Sequence, residues 1–303
     1  MGCFTPLQAY QSLTMKSNGK KSIAFSPNGN DLPIKLPCGQ CIGCRLSRSS
    51  DWASRCMHES TLHQENSFIT LTYNEENLPY DESLTKPHFQ KFMKRLRKSQ
   101  PNKKLRYYMC GEYGEKYKRP HYHLILFGYK PTDLEPYGIN HKGEPLYTSP
   151  SIVKLWGKGY VDVGSVTYES AAYVARYIMK KQTGQKAHEH YEHVTRYGEL
   201  INLEPEYTDM SRRPGIAHDW FLKNRDELYS TDSIVVKRNN KYIEQKIPRY
   251  YDSLESEINP ENMEHIKENR FFKGYFSEHN DPARLAAKQK ITEQKLTKLK
   301  RTL

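Results

Sequence analysis

The chain predicts an α+β fold, a mainly antiparallel sheet with flanking helices. Three observations carry this. Short segments dense in β-branched and aromatic residues recur at close spacing, as in Ser67-Phe68-Ile69-Thr70-Leu71-Thr72-Tyr73. Between two of them, Phe89, Phe92, Met93 and Leu96 fall at i, i+3, i+4 and i+7, one buried stripe of a helix. The resulting order is strand, helix, strand, strand, strand, helix. Strands joined by short links are antiparallel neighbours, which gives a sheet of the ferredoxin-like kind.

Taken in order, residues 1 to 45 read as irregular, with Gly, Pro, Asn and Ser throughout. A helix follows from Leu46 to about Gln64. After the strand at 67–73, Asn74 to Pro79 is a loop. Thr85-Lys86-Pro87 then opens the striped helix, with Thr as cap and Pro in the first turn. Its other faces carry Lys91, Lys94, Arg95, Arg97 and Lys98, a solvated coat that can also track phosphates. Leu105 to Cys110 is a second strand, His121 to Phe127 a third, and Gly159 to Gly164 a short fourth. Thr167 or Ser170 leads into a helix. Beyond Lys181 the pattern weakens, and Thr183 to Tyr197 reads as a polar loop. Ser211-Arg212-Arg213-Pro214-Gly215 is a basic turn. Ile234 to Ile247 reads as a hairpin turning at Asn239-Asn240. Pro282 to Leu303 reads as a basic helix. The expected divisions are a Cys-rich N-terminal segment with its helix (1–64), a central domain (65–182) and a basic C-terminal region (183–303).

The net charge is +12 over 303 residues, and aromatic residues are plentiful, including 23 Tyr. Phosphates seek Lys and Arg while bases stack on aromatic faces, so a nucleic acid is the indicated partner. No transmembrane stretch or signal peptide is visible, so no membrane partner is expected. The six cysteines cluster toward the N-terminal half. That suits a reducing compartment, with the cytoplasm as default, and metal binding better than a disulfide framework.

Arg119-Pro120-His121-Tyr122-His123 starts the third strand. Side chains alternate along a strand, so His121 and His123 face one way and Tyr122 the other. Two imidazoles on one face can share a metal. An antiparallel turn back from the preceding strand brings Glu112 near them, with Glu115 as fallback. Such a mixed set leaves positions open for a phosphate oxygen. On the last helix of the central segment, Tyr173 and Tyr177 lie one turn apart on one face, and Lys180 follows along it. Ala171, Val174 and Ile178 form a separate apolar stripe, so the tyrosines need not face the core. A metal or Lys180 would favour a nucleophilic phenolate. Each pair also has an ordinary reading, as strand-start histidines and as packing aromatics. The conjunction, order and flanking residues favour metal-assisted tyrosine chemistry on a nucleic acid.

Cys38, Cys41 and Cys44 make C-x2-C-x2-C, which fits zinc with a fourth ligand from elsewhere. Cys3 is the candidate, since a chain terminus folds back easily. The run also opens an iron–sulfur pattern, though the following Cys-Pro is missing. Cys56 and Cys110 read as core residues. His188, His190 and His193 lack an apolar strand and read as a solvated loop.

These segments resemble the HUH endonuclease superfamily, and more narrowly the replication initiators of gokushovirus-type Microviridae, single-stranded DNA bacteriophages. The residues that carry the resemblance are Pro37 to Arg45, Thr70 to Tyr73, Gly111 to Gly114, Arg119 to Gly128, Ala172 to Lys181 and Ser211 to Ile216. The resemblance implies an HUH nickase fold for 65–182 and a rolling-circle replication initiator. His121, His123 and Glu112 would hold Mg2+ or Mn2+. Tyr173 and Tyr177 would be the nucleophiles and Lys180 the nearby charge. One tyrosine would take a 5′ phosphate covalently, leaving a free 3′ hydroxyl, and the ends would later be rejoined. The implied partners are viral single-stranded DNA, the origin on replicative-form DNA, and the host helicase and DNA polymerase, in the cytoplasm of a bacterial host cell. No P-loop is present, and phosphodiester energy is preserved, so no nucleotide cofactor is implied. Three other readings compete: a non-catalytic, zinc-stabilised nucleic-acid-binding protein, an HUH transposase or relaxase, and a metallohydrolase built on the histidines alone.

Overall fold

In the computed structural model the described residues are 2–16, 21–27, 29, 31–114, 117–139, 143, 145–176, 186–238, 241–275 and 281–298. The chain divides into two units, Met1–Arg48 with His265–Thr302, and Ser49–Glu264. The boundary falls inside the first helix, α1 (Ile42–Ser60).

The first unit begins with β1 (Leu7–Met15), β2 (Lys21–Ala24) and β3 (Leu32–Leu36), ordered β2-β1-β3 with both pairs antiparallel. This corrects the expectation of an irregular segment. Only Ala9 of these three strands is buried, so they lack the apolar alternation that marks a half-buried strand.

In the second unit the strand-rich segments become β4 (Asn66–Tyr73), β5 (Arg106–Tyr113), β6 (Pro120–Phe127), β7 (Glu135–Ile139), β8 (Pro145–Thr148) and β9 (Gly159–Gly164). A β10–β11 hairpin (Glu192–Val194, Leu200–Asn202) follows, then β12 (Tyr207–Met210) and a β13–β14 hairpin (Ile234–Arg238, Lys241–Gln245). Asn239 and Asn240 lie outside the described residues. The main sheet has seven strands in the order β12-β5-β6-β4-β9-β8-β7, and every neighbouring pair is antiparallel. The helices are α2 (Lys86–Ser99), α3 (Pro150–Trp156), α4 (Tyr168–Arg176), α5 (Lys186–Tyr191), α6 (His218–Thr231), α7 (Arg249–Ile258), α8 (Pro260–Tyr275) and α9 (Pro282–Lys298).

α1 starts four residues before Leu46, and α5 and β10 occupy the expected polar loop. β7, β8, α3, α6, α7 and α8 are further elements beyond those expected. Thr85 does occupy the N-cap of α2 with extended backbone, but its side chain makes no capping bond. It donates instead to Ser83 O at 3.3 Å.

Alternation gives the sheet two apolar faces. One packs Ile69, Leu71, Tyr122, Leu124 and Leu126 against Phe89, Phe92, Met93 and Leu96 of α2 and against Ile152 and Trp156 of α3. The buried Trp156 indole donates to Thr72 O at 3.1 Å, so its one polar atom is satisfied. The other face packs Phe68, Tyr108, Cys110, Ile125 and Phe127 against α1, α4 and α6 through Ala53, Cys56, Ala171, Val174 and Phe221. Cys56 and Cys110 are core residues, as expected.

The basic turn 211–215 and its continuation are clamped by side chains of α1 and β5. The Arg55 guanidinium lies between the Trp52 and Tyr250 rings and donates from Nε and Nη2 to Ile216 O, at 3.2 and 3.1 Å. Arg106 Nη2 donates to Pro214 O and Gly215 O. Glu59 accepts from Ala217 N at 2.5 Å and pairs with Arg106 Nε at 2.6 Å, a charge contact rather than an aligned hydrogen bond. Burial opposes charge on Glu59. The bonds from His63 and Ala217 and the Arg106 charge overcome this and hold its carboxyl below the usual range.

Glu59→Ala leaves Arg106 buried without its counter-charge, and it should cost about 3–5 kcal/mol by denaturant unfolding. Because the folded carboxyl is depressed, the Glu59 contribution is present at neutral pH. It is lost as pH falls through the folded value, so the stability gap between wild type and variant should close in acid.

Candidate functional site

The β5–β6 register places Glu112 opposite His121 and Cys110 opposite His123. Side chains two apart on a strand share a face, so Glu112, His121 and His123 meet on the face packed by α4. Glu112 Oε1 accepts from His121 Nε2 at 3.1 Å and from His123 Nε2 at 2.8 Å. The sequence-predicted trio is therefore one cluster, with its ligand atoms within 4.8 Å of one another. Glu112 is 1 % exposed and His123 5 %, while His121 is half-buried and gives the cluster its open side. Burial works against a charged Glu112, yet the two imidazole hydrogen bonds and their charge outweigh it and hold the carboxyl down at about 2. For His123, burial is the largest influence and lowers its pKa, against the opposing pull of Glu112.

Sequence reasoning missed the side chains that fix His123. Thr70 Oγ1 lies 3.0 Å from His123 Nδ1, and Phe68 stacks on the ring at 5.8 Å. Both sit on β4, whose register sets Thr70 opposite His123 on one side and Asp162 of β9 on the other. The alternation Phe68, Thr70, Thr72 was visible in the sequence, but not that β4 lies between β6 and β9. Asp162 forms a hydrogen bond with Tyr137.

α4 supplies the tyrosine. Thr167 and Ser170 form a reciprocal cap, with Ser170 N donating to Thr167 Oγ1 at 3.1 Å and Thr167 N donating to Ser170 Oγ at 2.9 Å. The helix buries Tyr168, Ala171, Val174 and Ala175. Tyr173 is half-buried at the edge of this packing, and its ring stands edge-on to His123 at 5.0 Å. Tyr177 and Lys180 lie outside the described residues, as does Glu115.

A second cluster gathers Cys3, Cys38, Cys41 and Cys44, again within 4.8 Å of one another. The predicted fourth cysteine is therefore present. The other histidine group does not converge. His188 and His190 sit on α5, while His193 of β10 bonds Glu82 at 2.8 Å. Among the described residues, no helix is long and apolar enough to cross a membrane.

With both clusters placed, the chain can be set beside known proteins. A family model for the replication-associated protein ORF2/G2P matches residues 66–182. The chain is 33% identical to replication-associated protein ORF2 of Spiroplasma virus 4 over 291 residues, covering 89% of this chain and 86% of that one. The chain belongs to the replication-associated protein ORF2/G2P family. A second replication-associated protein, VP4 of Bdellovibrio phage phiMH2K, is 35% identical over 233 residues, 75% of this chain and 69% of that one. The replication-associated protein ORF4 of Chlamydia phage 1 is 41% identical over 153 residues, 48% and 38% of the two chains. No solved structure matches. The family match covers both histidines, Glu112 and Tyr173 of this replication-associated protein.

Proposed function

We propose that this protein is the phage's rolling-circle replication initiator, a metal-dependent HUH nickase that cuts and rejoins single-stranded DNA through a covalent phosphotyrosine. The observation that carries the reading is the convergence of Glu112, His121 and His123 on one sheet face, with Tyr173 against His123. One carboxylate oxygen and two imidazole nitrogens fit Mg2+ or Mn2+ with positions left open. Bound there, the ion would polarise the scissile phosphate.

The remaining steps belong to the chain's own side chains. A phenol of unperturbed pKa near ~10 is ionised to only about one part in a thousand at neutral pH, so Tyr173 must lose its proton as it attacks. Its oxygen forms a bond to phosphorus, the bond from phosphorus to the 3′ oxygen breaks, and that oxygen takes a proton. The 3′ hydroxyl is then free for the host polymerase, with the host helicase opening the duplex. Tyr177, with Lys180 three residues further along the sequence, is read as the second nucleophile, which recuts and rejoins. Residues 65–182 carry this chemistry, inside the infected bacterial cell, and the basic faces of the chain hold the DNA backbone. The four cysteines, a closed and softer donor set, are read as a zinc site.

Thr70 is assigned a positioning role. Where His123 Nε2 donates to Glu112, its Nδ1 accepts from the Thr70 hydroxyl. For Nε2 to ligate a metal the ring proton must sit on Nδ1, and the same hydroxyl then accepts it. A threonine serves both tautomers and a valine serves neither.

The deciding experiment is covalent trapping on single-stranded circular phage DNA with Mn2+, with and without EDTA, and mass-spectrometric mapping of the DNA-linked peptide. A metal-dependent adduct on Tyr173 or Tyr177 is expected. Salt-sensitive DNA binding with no adduct would leave a binding protein only. His121→Ala and His123→Ala should each remove most cleavage while DNA binding persists; wild-type nicking by both would sink the metal assignment. Thr70→Val should weaken Mn2+ binding, read by calorimetry, by about 10–100-fold, with Thr70→Ser close to wild type. Equal affinities in all three would remove the role given to Thr70.

A further inference from the structure

Among its described residues, the unit formed by Met1–Arg48 and His265–Thr302 has almost no apolar core, and none of them belongs to either hydrophobic cluster. Among its described residues the buried hydrophobic side chains are Phe4, Ala9, Ile266 and Leu285. Strands β1 to β3 leave Leu7, Leu13, Met15, Ile23 and Leu32 exposed. A three-stranded sheet with so little buried on either face does not hold itself together, and small cores of this kind need a staple.

The four cysteines stand where a staple would act. Cys3 precedes β1, Cys38 follows β3, and the register pairs Leu7 with Leu36, so these two strand ends lie side by side. Cys41 and Cys44 bracket the start of α1, with Arg45 N donating to Cys41 O. The Cys3 and Cys41 sulfurs are 3.8 Å apart. That is far longer than a disulfide bond of ~2.05 Å. It equals the edge of about 3.8 Å of a tetrahedron whose metal–sulfur bonds are about 2.3 Å, the value for zinc. In an iron–sulfur cluster the four thiolates are spread over two or more irons, which sets some of the sulfurs wider apart than the 4.8 Å that spans all four here, so the spacing also disfavours such a cluster.

Donors converge on three of these sulfurs. Phe4 N donates to Cys41 Sγ at 3.3 Å, Cys38 N to Cys3 Sγ at 3.2 Å, and Cys41 N to Cys38 Sγ at 3.2 Å. The Thr5 hydroxyl donates to Cys38 Sγ at 3.2 Å. The returning N-terminus is pressed onto the first turn of α1. A Cβ added at Gly43 would stand 2.3 Å from the Gly2 carbonyl oxygen and 3.0 Å from the Phe4 ring.

We infer that a single zinc ion on Cys3, Cys38, Cys41 and Cys44 is the element that folds the β1–β3 sheet, replacing the core this sheet lacks. The inference rests on the zinc reading of the cluster and adds that the β1–β3 sheet depends on the metal. Each ligating thiol gives up its proton on binding, and because the four come together only in the folded segment, binding and folding are one equilibrium.

The test is hydrogen exchange on the full chain, paired with metal analysis. The purified protein should hold one zinc per chain. Stripping it with a zinc-selective chelator, with magnesium in excess, should cost the amides of β1 and β3 most of their protection. Those of β4, β5 and β6 should keep theirs, and added zinc should restore the loss. Gly43→Ala keeps all four thiols but blocks the return of Gly2, so it should lose zinc to chelator faster than wild type. A chain that neither carries nor takes up zinc would remove the zinc reading itself. Stoichiometric zinc whose removal leaves β1 and β3 protected would keep that reading and overturn the folding inference.

Discussion

Glu112 Oε1 is a buried carboxylate oxygen beside an apolar core, and it survives there because two imidazoles converge on it. An uncompensated carboxylate in that position would be neutralised or would unfold the sheet. The convergence depends on the β5–β6 register, and the register is fixed from the far side. Tyr122, Leu124 and Leu126 alternate with the histidines and are locked under α2 and α3. Sliding one strand by a single residue would bury the histidines among those apolar side chains and turn the tyrosine and leucines to the face packed by α4. The packing of α2 and α3, remote from the cluster, is thus what holds its geometry.

The near side has a different task. α4 must lie close enough to bring Tyr173 to His123 without covering the open side of the cluster. Its reciprocal cap fixes where the helix begins, and Ala171, Val174 and Ala175 are small enough to let it approach the sheet. Behind it, Tyr168 is held by Ser50 at 3.0 Å and Gln245 at 2.8 Å, which fixes the first turn of α4 relative to α1 and β14. The clamp of Arg55, Arg106 and Glu59 on residues 214–217 anchors the lead into α6 on the same face. The sequence 211–216, noticed for its arginines, thus depends on backbone carbonyls as much as on charge.

The sheet was legible in the sequence wherever one strand face meets a dense core, as along Asn66–Tyr73 and Pro120–Phe127. The Glu112 contact followed from alternation plus an antiparallel return, two local rules. β1 to β3 were not legible, because a sheet without a core imposes no alternation on its residues. Thr70 and Asp162 were missed for another reason. Their faces were predictable, but their neighbours depend on β4 lying between β6 and β9, neither of which is the next strand in the chain, and that order is decided by long-range packing. Cys3 was placed by chain reach alone, and the register of β1 with β3 supplies the physical cause.

The two clusters differ in the way their proposed metals require. Four thiolates complete a tetrahedron and leave no position for substrate, so a metal there is structural. Glu112, His121 and His123 leave several positions free. Affinity alone would not reserve those positions for magnesium or manganese, because an imidazole and carboxylate set binds zinc more tightly than either. On the proposed reading, selection at the open cluster would have to come from metal supply in the cell and from the substrate's own oxygens, hard donors that suit magnesium. DNA would thus belong to the metal site as well as being its target, and full metal affinity would be reached only with the scissile phosphate in place.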